Sequence, residues 1–286
     1  MPAPLAVVVV HWRQPERCVG TVRAFQAQDV PVAVTVVDNG SPAEDVARLR
    51  RELPDVEVLP VGGNLGFGPA ANVGLRRWLA AGAGDWAVVA PHDAIPEPGC
   101  LSLLLEAVRD RPAAGLASAV YGEEGRPVVD RYFGGILLPS EVGAGWEDAG
   151  HPHGTLLLAR RACLEEVGLF DERYFAYCEE ADLGVRARAA GWEVGVVWGA
   201  VVRNPSLGTA APVVDYLQLR NSLLLVRDHF GRYPATIRFL LAVLDTAYRA
   251  AVPARRTPYF SLTARRHALV DFGRGRFGPP PAALLR

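Results

Sequence analysis

Lysine is absent from this chain of 286 residues, and all 30 of its basic residues are arginine. Together with 31 acidic residues they give a formal net charge of −1, so no general excess of positive charge favours binding to nucleic acid. The composition is also rich in alanine, glycine and valine, which indicates a GC-rich genome and by itself points to no function.

Cysteine is also scarce, and a long apolar segment is missing. The four cysteines are widely spaced and form no metal-binding pattern, which predicts reduced, mostly buried thiols in a cytoplasmic protein. The longest apolar runs, LAVVVV at residues 5–10 and FLLAVLDTA at residues 239–247, fall well short of the ~20 residues that span a bilayer. The first run is also too short for a signal peptide and leads directly into a polar turn. We therefore expect a cytoplasmic chain that is either soluble or peripheral at the inner face of the membrane.

Half of the residues are apolar, which suffices for a sizeable core, and their order predicts how that core is built. Continuous apolar runs, typical of strands buried on both faces, alternate with stretches of helical spacing over about the first 120 residues. The predicted strands span residues 5–10, 32–37, 56–59 and 86–89. This alternation predicts an α/β fold with a mostly parallel, doubly wound sheet flanked by helices. Ligands of such sheets bind at the carboxyl ends of the strands.

The most informative feature is a cluster of three carboxylates, Glu179, Glu180 and Asp182. An acidic triplet of this kind more often forms a solvated helix face than a site. Its flanks favour a site, because an aromatic stretch at residues 174–178 precedes it and Arg186 lies one turn beyond Asp182, where the two can pair. The triplet is therefore predicted to open a helix, whose N-terminal dipole favours negative charge, beside apolar surface. A carboxylate in such a place can act as a general base.

The segment around this cluster resembles a known family. Residues 168–191, GLFDERYFAYCEEADLGVRARAAG, resemble the acceptor-side motif of the family 2 inverting glycosyltransferases, especially their bacterial rhamnosyltransferase-like branch. The positions in register are Gly168, Leu169, Phe170, Asp171, Glu172, Phe175, Tyr177, Glu179, Asp182, Leu183, Arg186 and Gly191. The family's catalytic base is usually an Asp at the position of Glu180, so the resemblance implies that Glu180 is the base. It also implies a GT-A type, Rossmann-like fold, with Glu179, Asp182 and Arg186 at or beside the acceptor site.

Two further segments at predicted strand ends resemble the donor site of the same family. Residues 38–41, DNGS, follow the second strand, and by themselves they have an ordinary turn composition. Residues 64–74, NLGFGPAANVG, follow the third strand, and their glycines alone would indicate only a tight loop. In the family the Asp of the first segment recognises the pyrimidine, and the second segment approaches the donor phosphates through its backbone and a helix N-terminus. The resemblance assigns the donor nucleotide to Asp38, Asn39, Asn64, Gly66, Phe67 and Asn72.

The chain departs from the family where the donor diphosphate would bind. The family carries an acidic motif after the fourth strand that holds a divalent metal; here Pro91 replaces the first polar residue and Asp93 alone remains. The family's histidine near the end of the strand at 192–198 is also absent, and Arg203 lies there instead. Magnesium can bind through one carboxylate and substrate phosphates, so Mg²⁺ or Mn²⁺ at Asp93 is expected. Arg203 or Arg220 could balance the diphosphate charge instead, and the sequence leaves this choice open.

Three histidines near these motifs carry weaker signals. His92 is predicted to be a loop histidine, since no second histidine neighbours it. His151 and His153 have the spacing of a metal pair on a strand, but the absence of a further ligand favours a polar loop. They follow residues 113–150, an irregular stretch with predicted edge strands and, from residue 139, a loop that would border the acceptor.

The predicted organisation is a transferase domain at residues 1–222 followed by a helical extension at 223–286. The donor half of the domain covers roughly residues 1–112 and the acceptor half roughly residues 113–222. Just before the boundary, Asn221 matches the family's Y-x-x-x-R-N helix together with the preceding arginine.

The extension ends in an arginine-rich segment from Pro253 onward, with pairs at residues 255–256 and 265–266. A solvated tail is favoured there over a contact with an anionic membrane surface. The sequence indicates no oligomeric state.

The resemblance implies an inverting glycosyltransferase. A sugar, for example a deoxyhexose such as rhamnose, would move from a dTDP- or UDP-sugar to an acceptor hydroxyl in one displacement with Glu180 as base. The implied acceptor is a cell-wall or polysaccharide intermediate or a small natural product. A nucleotidyltransferase is disfavoured, because HWRQPERC after the first strand lacks a glycine run. A degenerate, non-catalytic homologue that binds nucleotide or glycan stays open because of Pro91 and the missing histidine.

Overall fold

A nine-stranded mixed sheet and a separate two-stranded hairpin lie in the residues that this computed structural model describes, 3–122, 125–204 and 210–284. In chain order the strands are β1 (Leu5–His11), β2 (Val32–Asp38), β3 (Glu57–Pro60), β4 (Trp86–Pro91), β5 (Ile95–Pro96), β6 (Ala114–Tyr121), β7 (Arg126–Asp130), β8 (Gly134–Leu138), β9 (Gly145–Asp148), β10 (Leu157–Arg160) and β11 (Glu193–Arg203). The large sheet has the order β3-β2-β1-β4-β10-β6-β11-β5, with β9 also paired to β11, and β7 and β8 form the hairpin.

The first four strands of this order are mutually parallel, because β1 pairs in parallel with β2 and β4, and β2 does so with β3. β10 is antiparallel to both of its neighbours, whereas β6 and β11 run parallel. The predicted α/β class and mostly parallel sheet are confirmed, with antiparallel pairing in the large sheet confined to β5, β9 and β10.

Helices cover both faces of this sheet. They are α1 (Pro15–Gln26), α2 (Ala43–Glu52), α3 (Phe67–Ala81), α4 (Cys100–Arg109), α5 (Arg161–Val167), α6 (Glu179–Ala189), α7 (Ala211–Phe230), α8 (Arg232–Ala251) and α9 (Leu262–Gly273). In β1, Val7 and Val9 belong to the core with α1, α2 and α4, whereas Val8 and Val10 belong to the opposite core with α3, α5 and α6. Successive strand residues point to opposite faces, so the unbroken run of valines is what a doubly covered strand requires.

The chain beyond residue 113 is more regular than its sequence indicates. β6 is a buried central strand between β10 and β11, although the sequence predicts only edge strands in this stretch. Its small residues give a weak strand signal, and burial between two neighbours stabilises it instead. The loop predicted from residue 139 contains β9, and β11 continues past its predicted end at 198, through an irregularity between Val197 and Val201.

The C-terminal helices begin earlier than predicted. The predicted boundary between residues 222 and 223 is wrong, because it falls inside α7, which runs unbroken from Ala211 to Phe230. The apolar residues of α7 share a core with α8 and α9, and this core also includes Phe175 from the segment before α6. The C-terminal helices are therefore packed directly against the chain that carries the carboxylate cluster.

The arginine-rich segment is not a solvated tail where it forms α9. Arg265 is 9% exposed, and its guanidinium pairs with Asp215 Oδ1 at 3.2 Å and Asp245 Oδ2 at 2.7 Å. The prediction of a solvated tail is therefore wrong for this helix, and residues 285–286 lie outside the described residues. Within the described ranges, no helix has the length and apolar character needed to cross a membrane.

Candidate active site

A strained loop of aromatic residues leads into α6, and we call residues 174–178 the aromatic loop. Phe175, Tyr177 and Cys178 have φ of 64°, 68° and 72°, a region that residues other than glycine rarely adopt. Asn221 holds this loop, because its Nδ2 donates to three of the loop's carbonyl oxygens at 2.7–2.8 Å, including that of Tyr174. Such strain persists only where the surrounding contacts outweigh it. The family match at Asn221 thus corresponds to a structural clamp.

The two predicted donor segments form one hydrogen-bonded unit against the aromatic loop. Asn39 Nδ2 donates to Asn64 Oδ1 and to Gly66 O, both at 3.1 Å, and Leu65 N donates to Asn39 Oδ1 at 2.8 Å. Gly66 has φ of 97°, and a Cβ added there would lie 2.2 Å from Phe175 O. Only glycine allows the donor segment to approach the aromatic loop this closely.

A cavity of about 430 Å³ lies between these loops at the carboxyl ends of the parallel strands, and we call it the donor cavity. It is lined by Val10, Trp12, Asn39, Asn64, Gly66, Phe67, Pro91, His92, Asp93, Gly154, Thr155, Phe175, Ala176, Tyr177, Glu179, Glu180, Asn204, Ala210, Val213 and Leu217. The predicted donor residues Asn39, Asn64, Gly66 and Phe67 therefore meet the predicted metal ligand Asp93 and the predicted base Glu180 in one place.

Asp38 and Asn72 support the donor cavity without lining it. Asp38 is 1% exposed, and its carboxylate accepts from His11 Nδ1 at 2.9 Å and from Ser41 N at 3.2 Å. Burial alone would raise the pKa of Asp38, but these hydrogen bonds outweigh it and keep the pKa below its ordinary value. Asn72 is also buried, donating to Phe170 O at 2.9 Å and accepting from Phe170 N at 3.0 Å. Both side chains thus fix the loops in this structure, and the nucleotide contacts predicted for them stay predictions.

Glu179 and Glu180, the first two residues of α6, differ in their protonation. Glu180 is partly exposed in the donor cavity, and burial raises its pKa to about 7 against opposing backbone hydrogen bonds. Glu179 is 5% exposed, and burial followed by the charge of Glu180 raises its pKa well above the ordinary value. Near neutral pH, Glu180 is therefore ionised in part of the molecules, and burial favours the protonated form of Glu179. A carboxylate with a pKa near the working pH is suited to general base catalysis.

Asp182, the third carboxylate, lies away from the donor cavity. Its carboxylate accepts from Arg186 Nε and from His229 Nε2, both at 2.8 Å, so the predicted pairing with Arg186 is confirmed. Arg186 also donates to the carbonyl oxygen of Leu169 at 2.7 Å. These bonds tie α6 to the end of α7 and to the chain before the aromatic loop. Of the two roles predicted for Asp182 and Arg186, at the acceptor site or in support of it, these hydrogen bonds correspond to the supporting one.

Asp93 and His92 follow β4 and line the donor cavity. Asp93 is 5% exposed and accepts from Asn204 Nδ2 at 3.2 Å, and burial raises its pKa. His92 Nδ1 donates to Val10 O at 3.3 Å, and burial lowers the pKa of His92 to about 4. The imidazole is therefore neutral, with Nε2 as an acceptor. The sequence predicts only a loop histidine here, although its place at a strand end beside Asp93 is a signal for the site.

The two arginines predicted to contact the diphosphate do not reach the donor cavity, and no arginine of the described residues lines it. Arg203 is exposed and its Nε donates to Glu97 Oε1 at 2.6 Å. Arg220 is 0% exposed, and its guanidinium donates to Tyr216 Oη and Asn221 Oδ1 at 3.0 Å. In this arrangement Arg203 pairs with Glu97 at the surface and Arg220 is enclosed in the core, so their contact with a diphosphate stays a prediction. Residues 205–209, which follow the strand end where the family has its histidine, lie outside the described residues.

Three carboxyl groups and no arginine of the described residues line the donor cavity. No group of three or more His, Cys, Asp and Glu side chains in the described part of the chain is arranged to hold a metal ion. Asp93 offers one carboxylate beside the neutral His92. Because Mg²⁺ binds through few carboxylates when phosphates and water supply the rest, these residues fit an ion shared with the substrate.

A second cavity of about 800 Å³ adjoins the donor cavity at Tyr177 and Glu180, which line both. We call it the arginine cavity, and it is lined by Phe133, Gly135, Ile136, Leu137, His151, His153, Tyr177, Cys178, Glu180, Ala181, Asp215, Gln218, Leu219, Ser222, Arg238, Leu241, Asp245, Arg249 and Arg265. Its walls come from β8, α6, α7, α8 and α9. Glu180 can therefore face ligands in two places.

His151 and His153 lie in the wall of the arginine cavity. Both are buried, and burial lowers the pKa of each to about 4, so both imidazoles are neutral. His151 Nδ1 donates to Pro152 O at 2.9 Å. The predicted loop is confirmed, but its histidines are enclosed instead of solvated.

Seven buried side-chain polar atoms in the described residues have no hydrogen-bond partner, and four belong to cavity-lining residues. They are His92 Nε2 and Glu179 Oε2 in the donor cavity, and His153 Nε2 and Arg238 Nε in the arginine cavity. Native proteins rarely leave such atoms unsatisfied. Their concentration around the two cavities indicates that ligands or water complete the bonding there.

Comparison of the sequence with known proteins shows the family to which this chain belongs. The family model described as "Glycosyltransferase like family 2" matches residues 2–214. The N-acetylglucosaminyl-diphospho-decaprenol L-rhamnosyltransferase of Mycobacterium tuberculosis (strain ATCC 25618 / H37Rv) is 31% identical over 254 residues, covering 75% of this chain and 81% of the relative. This chain belongs to glycosyltransferase family 2. The family predicted from the motif around Glu180 is thereby confirmed.

Solved structures show the fold of this family 2 glycosyltransferase. GalNAc-T7, solved with UDP, GalNAc and Mn²⁺, has a TM-score of 0.64 at 13% identity, covering 95% of this chain. This chain spans only 55% of GalNAc-T7. Mannosyltransferase PcManGT from Pyrobaculum calidifontis, in complex with GDP-Man and Mn²⁺, has a TM-score of 0.61 at 16% identity, covering 96% of this chain and 87% of that one. The GT-A-like fold with C-terminal helices is confirmed, and the chain is a nucleotide-sugar glycosyltransferase.

Proposed function

We propose that this family 2 glycosyltransferase transfers an L-rhamnosyl residue, with inversion, from a nucleoside-diphosphate sugar to a hydroxyl of a lipid-diphosphate-linked N-acetylglucosamine. The observation that carries this proposal is the position of Glu180, which lines the donor cavity and the arginine cavity together. The activity named for the M. tuberculosis relative supports the choice of sugar and acceptor.

Glu180 is the general base of this reaction. The donor lies in the donor cavity, and the acceptor hydroxyl enters from the arginine cavity. Glu180 takes the hydroxyl proton as the acceptor oxygen forms its bond to the anomeric carbon, and the bond from that carbon to the diphosphate breaks. One displacement inverts the anomeric centre, and the proton ends on Glu180. The pKa of about 7 leaves Glu180 ionised in a useful fraction of molecules at neutral pH.

The side chains of the donor cavity orient the donor around this base. Asn39 and Asn64 fix the backbone against which the nucleotide lies, and Phe67 offers apolar surface. Asp93 would hold a divalent ion, Mg²⁺ or Mn²⁺, which would supply positive charge to the leaving diphosphate. The neutral side chain of Glu179 keeps a second negative charge away from those phosphates.

The test measures sugar transfer by the purified protein. The donors are a panel of nucleotide-sugars that includes dTDP-rhamnose and UDP-sugars, and the acceptor is a short-chain prenyl-diphosphate-linked N-acetylglucosamine. Mass spectrometry should show addition of one deoxyhexose from the rhamnosyl donor, and NMR coupling constants should show the inverted anomeric configuration. A retained configuration would contradict the role of Glu180. Binding of nucleotide without nucleotide release in the presence of acceptor would favour the non-catalytic homologue instead.

A further inference from the structure

Arg238 is a largely enclosed arginine without a carboxylate partner in the described residues. It lies on α8 and lines the arginine cavity. The one hydrogen bond of its guanidinium within those residues runs from Nη2 to Ser222 Oγ at 3.3 Å, and Nε has no partner. Burial, and then repulsion from Arg265, lower the pKa of Arg238. A buried charge normally has a counter-charge, so this guanidinium indicates that an anion binds beside it.

The arginine cavity is lined by three carboxylates, Glu180, Asp215 and Asp245, and none of them forms an ion pair with Arg238 within the described residues, although Asp245 attracts its charge. Arg265 pairs with Asp215 and Asp245, and Asp245 also accepts from Arg249 Nε at 2.8 Å. Two arginines therefore share two aspartates, and Arg238 adds a third positive charge to the same cavity. His151 and His153 contribute no charge near neutral pH.

The arginine cavity also offers apolar surface at its edge. Leu137 on β8 is 48% exposed, Phe133 just before it is 51% exposed, and Leu241 on α8 is 38% exposed. All three line the cavity that holds Arg238. An anion that carries a hydrocarbon chain would satisfy both features, whereas a purely polar anion would leave these side chains in water.

We propose that Arg238 binds the diphosphate of a prenyl-diphosphate-linked sugar, whose sugar faces Glu180 and whose hydrocarbon chain leaves the arginine cavity past Leu137 and Leu241. This inference rests on the proposed function for the identity of the sugar. It assigns Arg238 as a binding residue for the acceptor and leaves the donor to the other cavity. On the acceptor side, the guanidinium of Arg238 would bind the diphosphate. Its planar N–H groups can donate two parallel hydrogen bonds to phosphate oxygens.

Direct binding tests the anion site without any reaction. Geranyl diphosphate is titrated into the protein by calorimetry in EDTA, which removes the metal that a diphosphate in the donor cavity would need. Arg238→Gln should weaken this binding by ~10- to 100-fold, as expected for lost hydrogen bonds to a charged group. Arg238→Lys should lose less, and the control Arg232→Gln, an exposed arginine on the same helix outside the cavity, should bind like wild type. Equal binding by wild type and Arg238→Gln would overturn the proposal.

The hydrocarbon chain has its own test. Geranyl diphosphate should bind more tightly than inorganic pyrophosphate, and Leu241→Ser should remove most of that difference while leaving pyrophosphate binding unchanged. If pyrophosphate binds as tightly as geranyl diphosphate to wild type, the apolar edge does not hold the chain.

Steady-state kinetics separate this proposal from the proposed function. Arg238→Gln should raise the KM for a geranyl-diphosphate-linked N-acetylglucosamine by ~10- to 100-fold and leave the KM for the donor unchanged. Geranyl diphosphate binding that depends on Arg238, without sugar transfer, would support the anion site and contradict the proposed acceptor. Should Arg238→Gln fail to fold, wild type decides: equal kcat/KM for methyl N-acetylglucosaminide and for the diphosphate-linked acceptor would overturn the proposal.

Discussion

The donor cavity and the arginine cavity share Glu180 and Tyr177 but differ in their charged side chains, because arginines line only the second. Asp93, Glu179 and Glu180 face the first, whereas Arg238, Arg249 and Arg265 line the second. No arginine of the described residues lines the donor cavity, whereas the arginine cavity offers the guanidinium of Arg238, which forms no ion pair within the described residues. This difference suits an enzyme whose two substrates both carry phosphate. The donor diphosphate would bind through a cation and the acceptor diphosphate through arginine, so each cavity would disfavour the other substrate.

Glu180→Gln should have the largest effect, because it removes the one carboxylate that both cavities share. The amide keeps the shape but cannot accept a proton, so turnover should fall by ~10²–10⁴. Calorimetry should show near-normal binding of the nucleoside diphosphate and of geranyl diphosphate. The matched control is Glu44→Gln on α2, an exposed position that lines neither cavity. Retention of more than about a tenth of wild-type turnover would assign the base to another group.

The pH dependence of the reaction follows from the same residue. Glu180 must be ionised to accept a proton, and burial raises its pKa to about 7. The rate should therefore rise about tenfold per pH unit well below pH 7 and level off above it. A profile that is flat between pH 5.5 and 8 would contradict this assignment of the base.

Metal removal should separate the two cavities. We expect EDTA to lower turnover by roughly 10²-fold, because the donor cavity lacks an arginine to balance the diphosphate, and Mg²⁺ or Mn²⁺ should restore it. Binding of geranyl diphosphate in the arginine cavity should not change. Titration of either ion into donor-free protein should show weak binding, since Asp93 offers one carboxylate. Full activity in EDTA would overturn the metal role, and tight binding by the free protein would indicate ligands beyond Asp93.

Asp38→Ala should affect the donor cavity alone, by loosening its support. The carboxylate fixes His11 and Ser41 beneath the loop that carries Asn39, so its loss should weaken nucleoside diphosphate binding by ~1–3 kcal/mol. Asp55→Ala, at an exposed position between α2 and β3, is the control. Unchanged nucleotide affinity by calorimetry would show that the hydrogen bonds of Asp38 do not support donor binding. Weakened geranyl diphosphate binding would show that the two cavities are not independent.

The donor cavity was largely predictable from sequence, whereas the arginine cavity was not. Asn39, Asn64 and Gly66 lie in short motifs at strand ends, where the fold class itself places ligands. Arg238 and Arg265 lie on separate helices, and only the packing of α7, α8 and α9 brings them together. No local spacing carries that information.

Some motif matches lie where the sequence predicts them, but their side chains make contacts that the motif does not indicate. Arg220 falls on a family motif, but its sequence cannot show that the side chain points into the core and bonds to Tyr216. Asn72 is similar, since its side chain holds the backbone at Phe170 rather than a ligand. Burial decides such roles, and burial is a property of the folded chain.

Glu179→Gln should give the smallest effect, and it tests whether the donor cavity holds a second, protonated carboxyl group. Burial raises the pKa of Glu179, so above pH 4.5 the folded state binds more protons than the unfolded state at this position. The free energy of unfolding should therefore decrease as pH rises toward the folded pKa, and the variant should escape that decrease. Between pH 6 and pH 9, Tm should decrease less in Glu179→Gln than in wild type. Each ~1 kcal/mol of difference in the free energy of unfolding corresponds to roughly 2–4 °C in Tm.

The amide keeps the shape of the buried group, and Glu179 does not line the arginine cavity, so geranyl diphosphate binding should stay unchanged. Parallel Tm curves for the two proteins would mean that Glu179 is ionised in the folded state, and the donor cavity would then carry more negative charge than the contrast between the cavities assumes.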